Sequence, residues 1–129
     1  MFESIGVLKY HDNSYKLIVD VDQGICNYYT SLLPKHIRLN KQKYKSHISV
    51  VRNEIPDLNF WNKYENEEIK FLYDPEVKFN ELYCWLNIWC NRLEEIRQEL
   101  GLPVSSRFTL PPEGFTKCFH CTIGNFKNI

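Results

Sequence analysis

The sequence has no excess of charge, little glycine and no long apolar run. Sixteen basic residues balance sixteen acidic ones, for a formal net charge of zero. Proteins that coat duplex nucleic acid present a strongly basic face, so stable duplex DNA binding is not expected. A small anionic ligand, or one end of a strand, needs only a local basic patch. No apolar stretch approaches the ~20 residues of a membrane-spanning helix, and no membrane partner is expected. Met1-Phe2-Glu3-Ser4 does not lead a charged segment into an apolar one, so no cleaved leader is expected. The five cysteines (26, 84, 90, 118 and 121) are odd in number and lack framework spacing. That usage fits reduced, buried thiols in a cytoplasmic protein. The five glycines form no phosphate-cradling loop or dinucleotide fingerprint, and there is no nucleophile elbow.

What remains is a chain of 129 residues, 43% hydrophobic and 25% charged. Those values predict a single globular domain spanning 1–129. Aromatics are plentiful, with three Trp, eight Tyr and eight Phe. Such rings pack cores and also stack on bases.

Residues 5–10 and 15–20 are β-branched and aromatic, and His11-Asp12-Asn13-Ser14 between them is turn chemistry. Together they predict a β-hairpin. Asp22 is placed to cap a helix over 23–33 that Pro34 ends. Residues 46–51 predict a strand, 53–67 an acidic loop with a short helix near Trp61 and Tyr64. Residues 68–73 and 76–90 predict extended chain, separated by Asp74-Pro75, and the end of the second run fits the start of a helix equally well. Residues 91–100 predict a helix with Asn91 as cap and Gly101 as stop. A last strand is expected over 117–124. The order, β-β-α-β twice, predicts an α+β domain.

Two strings carry the chemistry: His47-Ile48-Ser49-Val50 and His120-Cys121-Thr122-Ile123. Both read His, apolar, hydroxyl, apolar, and each closes one half of the chain. On a strand, residues i and i+2 share a face, so each string presents an imidazole beside a hydroxyl over apolar anchors. One such string is a weak signal; a pair is a stronger one. Cleaving a phosphodiester requires deprotonating a nucleophilic oxygen and protonating a leaving oxygen. Histidine can do either near neutrality. Hydroxyls can donate hydrogen bonds to the non-bridging oxygens. Such a site requires no metal and no cofactor.

The paired strings resemble the 2H phosphoesterase superfamily. It includes LigT-like RNA 2′,3′-cyclic phosphodiesterases and phage-encoded nucleases that destroy the cyclic oligonucleotide signals of anti-phage defence. The resemblance implies a bilobal, pseudo-twofold α+β fold with two antiparallel sheets around a central cleft. It implies His47 and His120 as the catalytic pair, with Ser49 and Thr122 holding the phosphate. The substrate class it implies is a cyclic nucleotide or an RNA end bearing a 2′,3′-cyclic phosphate. Arg38 is the candidate for an arginine that often precedes the first motif. Abundant Asn, Lys, Ile and Tyr fit an AT-rich, viral genome.

Between 34 and 52 lie Lys35, Arg38, Lys41, Lys43, Lys45 and Arg52 without an acidic residue, a local patch that would attract phosphate to His47. Lys45, two residues before His47, is the expected phosphate ligand among them. Tyr10, at the end of a strand, and Trp61, in polar surroundings, are the expected nucleotide-stacking rings. Cys118, His120 and Cys121 do not make a zinc site, because the two thiols face opposite ways on a strand and further ligands are missing. Two other readings follow from the same residues. One is a non-catalytic module that sequesters a nucleotide or RNA end; the other is a structural protein with incidental histidines.

Overall fold

A computed structural model describes residues 1–34, 36–40, 42, 44–106 and 109–126. The hairpin expected from the first twenty residues is present as β1 (Phe2–His11) and β2 (Lys16–Asp20). Ser14 and Tyr15 adopt positive φ at its tip, which lets the strands reverse. Asp22 caps α1 (Gln23–Ser31) by accepting a 2.8 Å bond from the Gly24 amide. β3 (His47–Val51) follows. A 3₁₀ turn, Leu58–Phe60, comes just before the expected short helix, and Trp61 and Tyr64 lie in turns beyond it. β4 (Glu68–Tyr73) comes next.

The run 76–90 is not one extended segment. The Asn80 carboxamide oxygen accepts 2.8 Å bonds from the Leu82 and Tyr83 amides. That local turn splits the run into β5 (Lys78–Phe79) and β6 (Tyr83–Trp89). α2 (Asn91–Glu99) starts at the expected residue, but Cys90 occupies the cap position and makes no capping bond. Its thiol donates instead to the Lys70 carbonyl at 3.3 Å. Gly101, at φ +74°, ends the helix as expected. β7 (Phe119–Asn125) is the last strand.

The bilobal, two-sheet α+β architecture expected from the resemblance is overturned. All seven strands belong to one sheet, ordered β4-β1-β2-β3-β7-β6-β5, and β4 also pairs with β6. The pairs Leu72–Trp89 and Tyr73–Ile88 join β4 to β6, while its other edge runs along β1 from Phe2–Tyr73 to Val7–Glu68. Six strands therefore close into an antiparallel barrel, with β5 as an extra strand on β6. Closure satisfies both edges of each strand over its paired stretch. The helices are short, nine residues each, and the molecule is mostly sheet.

Alternation along the strands sorts the residues. Leu8, Leu17, Val19, Ile48, Val50, Leu86, Ile88, Phe119 and Cys121 are buried in one continuous core. The helices contribute Cys26, Tyr29, Leu93, Ile96 and Leu100 to the same cluster. The Cys26 and Cys121 sulfurs lie 3.8 Å apart and join α1 to β7. All five cysteines are free and buried. No helix among the described residues is long and apolar enough to cross a membrane.

Candidate phosphate site on the β3–β7 pair

The two histidine strings occupy neighbouring antiparallel strands. Ile48 pairs with Cys121, and both are buried. Stepping one residue either way places His47 across from Thr122 and Ser49 across from His120. Directly opposed residues point to the same face, with Cβ atoms about 5 Å apart. His47 and His120 then sit on a diagonal, with Cα atoms about 7–8 Å apart. Both imidazoles extend from the face opposite the core.

The entry to β3 is held from outside the sheet. The Gln23 side chain accepts from the Ser46 amide at 3.0 Å and donates to the Ser46 carbonyl at 2.8 Å. It acts as a one-residue strand in front of His47. Gln42 bridges the two motif strands, donating to the Ser46 hydroxyl at 2.7 Å and to the Thr122 carbonyl at 3.2 Å. The His47 Nδ1 lies 3.0 Å from the Lys45 carbonyl. A carbonyl can only accept, so Nδ1 carries the proton and Nε2 is the nitrogen offered outward. This contact is kept in the neutral ring and in the imidazolium, so the ring can exchange a proton at Nε2 without turning.

His120 keeps an exposed edge and packs edge-on against Trp85, with ring centroids 5.7 Å apart. Trp85 pairs with Thr122, and Asn87 pairs with His120. The Trp85 indole N–H donates to the Asn87 side chain at 3.0 Å, which fixes the ring beside the histidine. Partial burial, and then the positive charge of Lys117, hold the His120 imidazole below its ordinary pKa. The neutral ring is therefore favoured at neutral pH.

A groove of about 820 Å³ opens on this face. Its lining includes His47, Ser49, Thr122 and Lys45. His120 is not part of the lining; it stands on the same face, beside Ser49 and Thr122. Arg38 is exposed and does not line the groove. Lys35, Lys41 and Lys43 of the basic run lie outside the described residues.

The two rings expected to stack on a base are elsewhere. Tyr10 is buried, at 9% exposure. Its hydroxyl accepts from the Tyr64 amide at 3.3 Å, and its ring meets Trp61 edge-on at 4.9 Å. Trp61 packs on Tyr15 as well and donates to Asp12 at 3.0 Å. Both rings brace the hairpin tip and neither lines the groove. The place of Tyr10 beside a turn suggested a cleft rim, but the ring falls on the core face of β1 together with Leu8. Tyr44 and Tyr83 are the aromatics that line the groove, and Trp85 packs on His120; the i, i+2 spacing of Tyr83 and Trp85 on a strand was an available signal.

Among the described residues, no three His, Cys, Asp or Glu side chains are grouped to hold a metal. No protein-family model matches the chain, and neither a curated protein nor a solved structure matches it.

Proposed function

We propose that the chain is a metal-independent phosphodiesterase of the 2H type, acting on a ribose-linked phosphodiester. The observation that carries this reading is the Ile48–Cys121 pairing. It brings two His-x-hydroxyl strings, distant in sequence, onto one face with each histidine opposite the other string's hydroxyl.

For a 2′,3′-cyclic phosphate, a water oxygen attacks phosphorus and gives its proton to one imidazole. The bond from phosphorus to one ribose oxygen breaks, and that oxygen takes a proton from the other imidazole. For a 3′,5′-linked cyclic oligonucleotide, the neighbouring 2′-hydroxyl attacks first, and the departing 5′-oxygen is protonated. His120, favoured in its neutral form, is suited to accept the first proton. His47 Nε2 then protonates the leaving oxygen. Ser49 and Thr122 donate to the non-bridging oxygens, where charge grows in the transition state. A role in removing a cyclic nucleotide defence signal belongs to the same proposal, as does a cytoplasmic site of action.

The test is turnover in EDTA of cyclic dinucleotides, cyclic trinucleotides and a short RNA ending in a 2′,3′-cyclic phosphate. His47→Ala and His120→Ala should each lose ~10²–10⁴-fold, the usual weight of a proton-transfer group. Turnover that survives both substitutions rules the mechanism out. Tight binding without turnover in the unaltered protein assigns it to the sequestering modules instead.

A further inference from the structure

The groove continues past the histidine pair along β2 and β3, and its far end is basic. Val51 pairs with Leu17, so Arg52 and Lys16 are the next residues across these two strands. Both line the groove, together with His11, which pairs with Lys16 across the hairpin. Ion pairs among the described residues engage Lys63, Lys78, Arg92 and Arg97, leaving Lys16 and Arg52 without one. Asp20, a carboxylate in the lining, pairs with His47. Four residues of strand, about 13 Å, separate it from Lys16. Val50 is the extra residue of a bulge, so Ser49 and Arg52 are only two strand steps, about 7 Å, apart. Extended Lys and Arg side chains span several ångströms of that gap. Their charges thus come within a nucleotide's length of a phosphate held between the histidines.

We infer that Lys16 and Arg52 form a second phosphate subsite, and that the substrate is a phosphodiester-linked di- or oligonucleotide rather than a mononucleotide. The inference rests on the reading of His47 and His120 as the cleavage site. An isolated nucleoside cyclic phosphate leaves these two cations idle; a second phosphate gives them charge-assisted hydrogen bonds.

The experiment compares kcat/KM for adenosine 2′,3′-cyclic phosphate, an adenosine dinucleotide ending in that group, and cyclic di-adenosine monophosphate. The unaltered protein should favour the two-phosphate substrates. Lys16→Gln and Arg52→Gln should each cut that preference by about tenfold, the scale of one lost charge-assisted hydrogen bond. Lys70→Gln, an exposed lysine of β4, should leave it intact. The linear and cyclic arms show which source of second phosphate the subsite fits. A loss of equal size on the mononucleotide, or no loss, overturns the subsite.

Calorimetric titration with adenosine 3′,5′-bisphosphate against adenosine 3′-monophosphate separates this inference from catalysis. Tighter binding of the bisphosphate, abolished in the Lys16→Gln/Arg52→Gln double variant, supports the subsite even if nothing is turned over. Turnover with no such binding contrast keeps the enzyme and removes the subsite.

Discussion

Ile48 faces Cys121 across the β3–β7 pair, and both side chains are buried in the core. Every chemical feature of the face above them depends on that register. A slip of one residue would send His47 and Ser49 inward and bring Ile48 and Val50 out, at the cost of two buried apolar side chains. The core thus holds the site in place: the residues that face water are positioned by the ones that do not.

The hydroxyls give the first expected outcome. Ser49→Ala and Thr122→Val should each lower kcat by about 10²-fold, the weight of one donor to a developing oxyanion. Thr122→Ser should keep most of the rate, since it retains the donor. Steady-state kinetics on whichever substrate the EDTA panel identifies will decide this. A Thr122→Val enzyme with undiminished kcat assigns the residue to packing alone.

Much of this arrangement could be read from the chain and part could not. Strand and helix positions follow local signals: the His11–Ser14 turn, the Asp22 cap, Pro34, Gly101. The face shared by His47 and Ser49, or by His120 and Thr122, follows from the two-residue period of a strand. What joins the two strings is a contact between residues 48 and 121, and no local pattern encodes it. The closed barrel escaped for the same reason, since it depends on Leu72–Trp89 and Tyr73–Ile88 pairs rather than on any element's own sequence. Tyr10 was misjudged because a ring near a turn looks alike whether it points outward or, as here, inward.

The second outcome concerns pH. Burial and Lys117 hold His120 below the ordinary histidine value of ~6.5. If its neutral form is the base, the acid limb of kcat/KM lies below that pH, and activity falls as pH drops through the lowered value. Lys117→Gln removes a neighbouring positive charge, so the imidazolium becomes easier to form and the limb moves up. The move is partial because burial remains. Proton NMR titration of the His120 ring reads the same shift without needing turnover. A ring that titrates at 6.5 or higher before any substitution contradicts the assignment.

A third expectation is structural. Gly6 is buried in β1, beside the Asp20 that pairs with His47. A Cβ at position 6 would meet the Val19 side chain and come within 2.5 Å of the Asp20 backbone oxygen. Backbone cannot swing aside as a flexible side chain can, so β1 and β2 would have to separate. Gly6→Ala should cost about 1–3 kcal/mol, the usual price of overpacking a filled interior. Thermal or urea denaturation measures this, and an unchanged midpoint would show that the strands can part freely.

The last outcome links β3 to α2 through a buried cation. The Arg97 side chain is 4% exposed and forks onto both Glu54 carboxylate oxygens, at 2.7 and 2.8 Å. The same guanidinium donates to the Val50 carbonyl at 2.7 Å and the Pro103 carbonyl at 2.9 Å. It therefore fixes the backbone immediately after Ser49. Arg97→Leu should destabilise the protein by about 3 kcal/mol, the low end for breaking a buried pair, because Glu54 keeps some water. Arg97→Lys should recover little of this, since an ammonium cannot fork. The Arg97 guanidinium also holds the Glu54 carboxyl below the ordinary carboxylate value. A carboxyl whose value is depressed by folding stabilises the native state in full above its unfolded value, ~4.3. That contribution is lost as pH falls through the depressed one. The stability gap between the unaltered protein and Arg97→Leu should thus be wider at pH 7 than at pH 3. The bonds to Val50 and Pro103 keep it from closing altogether. Urea denaturation at the two pH values measures the gap, and a gap of equal size at both would remove the ion pair from the account and leave only the carbonyl bonds.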